Sequence, residues 1–99
     1  MSQNHILLTG PQGDVYVIMG YDRPLGEIFC NVTADDDDPT DYSAFLFRRF
    51  SGGTEIREAL QSVGLSVPDS VLAAVDDDAL NQVGNVMRRF DAQGQLMPR

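Results

Sequence analysis

The sequence contains no lysine, one cysteine and one histidine, and each shortage removes a class of function. Without lysine the chain cannot form a Schiff base, and it has no phosphate-binding loop of the Gly-Lys-Ser/Thr kind. One thiol excludes an internal disulfide and a cysteine-based zinc knuckle, because both need at least two thiols. Cys30 and His5 would form a nucleophilic dyad only if the fold brought them together, and a buried structural cysteine is the commoner arrangement.

Basic residues are also scarce, with seven arginines against fifteen acidic residues and a net charge of −8. This balance argues against direct binding to nucleic acid, because the phosphate backbone would repel the chain. A protein partner with a basic surface is the expected electrostatic complement. Twelve of the acids are aspartate, a bias that either the composition of the host genome or selection for phosphate-like clusters would produce.

Long apolar runs are absent, and no basic, apolar leader opens the chain. We therefore expect a cytoplasmic protein. Its 99 residues, 42% of them hydrophobic, are enough for a single core. The expected organisation is one domain over residues 1–99, with frayed ends at 1–4 and 98–99.

The first half of the chain alternates apolar segments with turns. The sequence Gly-Pro-Gln-Gly at residues 10–13 predicts a hairpin between strands at 5–9 and 14–20. Residues 14–20 are apolar on both faces, which is typical of a central strand. A second hairpin leads to the alternating segment 27–33, and the aromatic segment 42–50 favours a fourth strand over a helix.

The hydrophobic period becomes helical after residue 53. Thr54 is the predicted N-cap of a first helix, and Gly64 is predicted to end it in a left-handed conformation. Residues 68–83 carry one apolar stripe and predict a second helix, which Gly84 would end.

The tail is open to two interpretations, a helix or a short hairpin. Asp91 and Gly94 occupy the first and fourth places of a type I turn, which favours a hairpin of residues 86–90 with 95–97. Strands followed by helices predict an α+β domain. We expect an antiparallel sheet of about four strands from the N-terminal half, covered on one face by two helices, with a C-terminal hairpin or extension.

The aspartate run that follows the third strand fails as a calcium loop. Counted from Asp36, the sixth and twelfth places hold Asp41 and Phe47, where an EF-hand needs glycine and glutamate. A solvated acidic loop is therefore the better interpretation, and no metal or cofactor is predicted. Two short runs recur at an offset of forty residues: Asp36-Asp37-Asp38 as Asp76-Asp77-Asp78, and Arg48-Arg49-Phe50 as Arg88-Arg89-Phe90. We interpret the recurrence as coincidence and these arginines as solvated strand edges.

The leading hypothesis is a small acidic, non-enzymatic protein that binds a protein partner with a basic surface. Among such proteins are inhibitors from phages or mobile elements that occupy a nucleic-acid-binding site on their target. The residues assigned to the acidic surface are Asp35, Asp36, Asp37, Asp38, Asp41, Asp76, Asp77 and Asp78.

A second surface combines aromatic side chains with arginines, a composition typical of interfaces, although the same aromatics would also fit a core. Its residues are Phe45, Phe47, Arg48 and Arg49. This surface supports the alternative hypothesis, a homo-oligomeric structural or accessory protein such as a homodimer. An enzyme that uses Cys30 or the carboxylates is the third hypothesis, and we expect the protein not to be an enzyme.

Overall fold

A computed structural model describes residues 1–11, 13–33 and 48–98 of the chain. It contains strands and two helices, in the order β1 (Ser2–Gly10), β2 (Gly13–Asp22), β3 (Glu27–Thr33), β4 (Arg48–Phe50), α1 (Gly53–Gln61), α2 (Asp69–Leu80) and β5 (Val86–Phe90). The α+β class is confirmed. The predicted acidic loop and residues 42–47 of the predicted fourth strand lie outside the described residues.

The strands form one sheet in the order β4-β3-β2-β1-β5. The two predicted hairpins, β1–β2 and β2–β3, are confirmed as antiparallel pairs, and β2 is the central strand. However, β5 pairs with β1 in parallel, so the prediction of a purely antiparallel sheet was wrong. The reason is the long connection: the chain leaves β4 at one edge and returns through α1 and α2 to the other edge. Such a crossover leaves no signal in the local alternation of apolar residues.

One face of the sheet supplies the hydrophobic core, and we call it the core face. In β1, β2 and β3 alternate residues point to this face, and most of them are buried, as expected for pleated strands. Helix α2 packs against these three strands, whereas α1 contacts mainly α2 and β4. The central members of the core are Ile6, Val17, Met19, Cys30, Ile56, Leu60, Val71 and Val75.

The N-terminus does not match its expected fraying. Strand β1 begins at Ser2, and the side chains of Ser2 and Asn4 are fully buried. The hydroxyl of Ser2 accepts a hydrogen bond of 2.9 Å from the backbone N–H of Tyr21. The polar side chains of Ser2 and Asn4 therefore make hydrogen bonds in the interior rather than facing solvent.

The ends of the two helices are built differently from one another. Gly64 adopts φ 81°, and the N–H of Leu65 bonds the carbonyl of Leu60, which confirms the predicted left-handed cap. Helix α2 ends at Leu80, before the predicted stop. There Gln82, not Gly84, takes the left-handed conformation, with φ 50°.

The C-terminal segment folds back on β5 as predicted for a hairpin. One carboxylate oxygen of Asp91 accepts hydrogen bonds from the backbone N–H groups of Gln93 and Gln95, which closes the turn. Leu96 then bridges Phe90 in antiparallel register. Within the described ranges, neither helix combines the length and the apolar character that a membrane span requires.

Candidate functional site

The aspartate run of α2 does not form a single surface cluster. Asp78 is 2% exposed, and its carboxylate lies 2.9 Å from Nη1 of Arg88. The same carboxylate accepts a hydrogen bond of 3.2 Å from Nδ2 of Asn4, which is fully buried. Asp78 therefore connects α2 to β1 and β5 in the interior, and the structure does not place it on the exposed acidic surface assigned from the sequence.

The interpretation of Arg88 as a solvated strand edge was wrong. Arg88 lies beside Asn4 in the parallel pairing of β5 with β1, and its Nη1 also donates to Oδ1 of Asn4 at 3.1 Å. Its side chain is 28% exposed. The arginine is therefore the counter-ion of a buried aspartate, because a charge in the interior needs both a partner and further hydrogen bonds.

Asp76, a residue of α2, caps the N-terminus of α1. Its Oδ1 accepts a hydrogen bond of 2.8 Å from the backbone N–H of Gly53, the first residue of α1. A Cβ at position 53 would lie 2.9 Å from Oδ2 of Asp76 and 3.1 Å from Cβ of Leu72, so glycine allows this close approach. The prediction that Thr54 is the N-cap was wrong, since the N-cap residue is Gly52, two residues earlier, and the capping carboxylate comes from another element.

The two helices nevertheless remain strongly acidic. They carry six acidic residues and one arginine, Arg57, which forms an ion pair with Asp69. Asp78 is paired with Arg88 from β5. In the part of the chain that the structure describes, the remaining four form no ion pair: Glu55, Glu58, Asp76 and Asp77.

The predicted acidic loop and two residues of the predicted aromatic surface lie outside the described residues. Arg48 and Arg49 belong to β4, where they pair in register with Cys30 and Phe29. The other residues of the two predicted surfaces lie outside the described residues, and their roles stay predictions: Asp35, Asp36, Asp37, Asp38, Asp41, Phe45 and Phe47.

The structure separates the two residues of the candidate dyad. Cys30 lies in register with Met19, which is paired with Asn4, so its side chain points to the core face. His5 is the next residue along β1 and points to the opposite face, where its Nε2 lies 3.0 Å from Oε1 of Gln3. Cys30 is fully buried, and burial raises the pKa of its thiol to about 12. The thiol is therefore neutral and shielded at physiological pH.

Carboxylate, imidazole and thiol groups also do not converge elsewhere on the described ranges. No group of three or more such side chains there is arranged to hold a metal ion.

A groove lies where the C-terminal segment and β5 meet β1 and β2, and His5, Leu7 and Arg89 line it from the face of the sheet opposite the core. It consists of two cavities of about 290 and 720 Å³, and Arg89 and Met97 line both of them. We call it the β5 groove, and its walls are formed mainly by His5, Leu7, Tyr16, Val86, Met87, Arg89, Leu96 and Met97.

Apolar side chains of the β5 groove are unusually exposed. The exposed fractions are 41% for Leu7, 47% for Met87 and 44% for Met97. Sequence reasoning missed this groove, although a signal was present: Leu7 and Met87 are apolar residues at outward-facing positions of their strands. Neighbouring apolar side chains that stay exposed on a small protein are typical of a binding surface.

Comparisons of the chain with protein-family models, with curated proteins and with solved structures found no match. No relative therefore supplies site residues by analogy. The acidic helices and the β5 groove are the two surfaces on which a functional proposal can rest.

Proposed function

We propose that this protein is a non-enzymatic binding protein that contacts a larger protein partner with a basic surface. The observation that carries the proposal is the excess of acids on α1 and α2, where four carboxylates form no ion pair within the described ranges and those of Glu58 and Asp77 are exposed. Exposed charges act over about 10 Å at 0.1 M salt, so neighbouring carboxylates on two helices add their fields. A surface of this kind speeds association with a basic partner and disfavours acidic ones.

We further propose that α1 and α2 together cover the core face and present one acidic surface outward. Two observations support this arrangement. Ile56 of α1 and Val75 of α2 belong to the same buried cluster as the strand residues, whereas Glu58 and Asp77 are exposed. In addition, the helices connect strands at opposite edges of the sheet, and the shortest such path crosses a single face.

A narrower form of the proposal is an inhibitor that occupies a nucleic-acid-binding site on its target. Its support is the net charge of −8 together with the consecutive aspartates Asp35 to Asp38, since carboxylates at such density resemble a phosphate backbone. This form makes an additional prediction: nucleic acid and the protein should compete for the partner. The general form does not require competition.

The alternative, a homo-oligomeric accessory protein, is favoured by the exposed apolar side chains around β5. Analytical ultracentrifugation at micromolar concentration separates the two. A strict monomer would rule out the alternative. A dimer would favour the β5 groove, rather than the helices, as the interface.

A pair of charge variants tests the leading proposal. Glu58→Gln with Asp77→Asn removes two charges from the helices, and Asp14→Asn with Asp22→Asn removes two from the strands as a matched control. Proteins captured from a host lysate at about 0.05 M salt are identified by mass spectrometry, purified and titrated by calorimetry against all three forms.

The expected result is that the helix variant binds the captured protein about tenfold more weakly, with a flatter dependence on salt. The control should bind like the original chain. Thermal melts establish that all three forms are equally folded. Equal affinity of the helix variant and the control would refute the acidic helices as the binding surface.

A further inference from the structure

We propose that the β5 groove binds an extended peptide segment of a partner protein, one that carries a single carboxylate between two apolar side chains. The proposal does not depend on the acidic helices. It concerns the opposite face of the sheet, to which His5 and Leu7 point while Ile6 and Leu8 point into the core.

Arg89 provides the charge for this recognition. Its side chain is exposed, and in the described ranges its guanidinium makes no hydrogen bond or ion pair, whereas the adjacent Arg88 is paired with Asp78. The nearest acid along the chain, Asp91, instead binds the backbone N–H groups of its own turn. Unlike Arg23, whose guanidinium is also unpaired in the described ranges but which lies in a turn, Arg89 lines both cavities, and its planar guanidinium matches a carboxylate in a bidentate geometry.

The apolar walls determine what must flank that carboxylate. Tyr16 and Leu7 line the smaller cavity, Met87 and Leu96 line the larger one, and Arg89 lines both. Burying these side chains under a ligand is favourable in proportion to the apolar area removed from water. The flexible thioether of Met97, which lines both cavities, can adapt to different apolar side chains.

The shape of the groove favours an extended peptide over a compact small molecule. The two cavities share Arg89 and Met97 in their linings, so they adjoin and together form a site longer than either one alone. In an extended chain, residues i−2, i and i+2 point to the same side at intervals of roughly 6.5 Å. A carboxylate at position i can therefore reach Arg89 while the side chains at i−2 and i+2 enter the two cavities.

Methionine methyl groups report directly on this site. The probe is the peptide acetyl-Leu-Ser-Asp-Ser-Leu-amide, compared with the same peptide carrying Asn at its centre. The protein is labelled with ¹³C in its methionine methyl groups and titrated by NMR. We expect saturable shifts of Met87 and Met97 with the Asp peptide, and no shift of Met19, which is fully buried in the core.

Two arginine variants test the role of the carboxylate. Arg89→Gln should weaken binding of the Asp peptide about tenfold, to the level of the Asn peptide, because a charge-assisted hydrogen bond is lost. Arg23→Gln makes the same change in net charge in the turn before β3 and should leave binding unchanged. The helix variant Glu58→Gln with Asp77→Asn should also bind the peptide normally, so the two proposals fail separately.

Four outcomes would overturn the proposal. Equal affinity of the Asp and Asn peptides would remove the role of the carboxylate, and the absence of any shift with both peptides would remove the site. Binding of sodium benzoate alone as tightly as the Asp peptide would assign the groove to small carboxylates. A dimer in sedimentation, whose dissociation alone exposes Met87 and Met97, would make a second copy the occupant.

Discussion

The carboxylate of Asp78 lies 2.9 Å from the guanidinium of Arg88, and this ion pair joins the last turn of α2 to β5. Asn4 of β1 hydrogen-bonds both members, so three elements distant in sequence meet at one polar point inside the protein. Such a network specifies where β5 lies more than it adds net stability, because desolvating the two charges offsets much of their attraction. Replacing only one member of the ion pair should therefore lower the stability more than replacing both members with apolar residues.

We predict that Arg88→Met lowers the free energy of unfolding by about 3 kcal/mol, because it leaves the Asp78 carboxylate buried without a counter-ion. The double variant Asp78→Leu with Arg88→Met should recover most of that loss. Urea unfolding of the single and double variants measures the coupling. Arg89→Met is the matched control and should change stability by less than about 0.5 kcal/mol. If Arg88→Met is as harmless as this control, the ion pair has no structural role.

The cap that Asp76 supplies to α1 leads to a second prediction. Asp76→Ala removes the acceptor for the N–H of Gly53 and should cost about 1 kcal/mol of stability. Asp76→Asn keeps an oxygen acceptor but loses the favourable charge at the helix N-terminus, so its cost should be smaller. Asp77→Ala, one residue further along α2, should be nearly neutral because its side chain is exposed. Chemical denaturation measures the free energy of unfolding of the three variants. An equal loss of stability in Asp76→Ala and Asp77→Ala would contradict the role of Asp76 as a cap.

Cys30 gives a prediction about alkaline pH. Burial raises the pKa of its thiol from 9.0 to about 12, so above pH 9 the unfolded chain releases a proton that the folded protein keeps. The unfolded state then binds fewer protons, and stability falls as the pH rises from 9 towards 12. Cys30→Ala should lose this part of the alkaline dependence, although it will be less stable at neutral pH because of the cavity. Denaturation at pH 7 and 10 measures the difference; an identical pH dependence in both proteins would contradict the prediction.

Local features of the fold were predictable, and long-range ones were not. The hairpin closed by the pair Gly10 and Gly13 and the left-handed cap at Gly64 depend on a few adjacent residues, which the sequence displays directly. By contrast, the parallel pairing of β5 with β1 depends on a connection across the sheet, which no local period records.

The aspartates of α2 illustrate the same limit at the candidate site. Three consecutive identical residues have three environments: Asp76 caps another helix, Asp77 is exposed, and Asp78 is buried against an arginine. A charge run read from the sequence alone predicts a uniform solvated surface. The β5 groove was missed for a related reason, since Leu7 and Arg89 become neighbours of Met97 only when the C-terminal segment folds back on β5.

The end of α2 supplies the last prediction. Gln82 adopts φ 50°, and the N–H of Val83 bonds the carbonyl of Asp78, a cap in which glycine is normally found. A side chain in this left-handed region is strained by about 1 kcal/mol, so Gln82→Gly should raise the free energy of unfolding by up to that amount. Gly64→Ala makes the reverse change at the other helix, where φ is 81° and a Cβ would lie 2.7 Å from Cγ of Pro11, and it should be clearly destabilising. Gln82→Ala is the control, because alanine loses the side chain but retains the Cβ that strains the backbone. If Gln82→Ala stabilises the protein as much as Gln82→Gly does, relief of backbone strain is not the cause of the stabilisation.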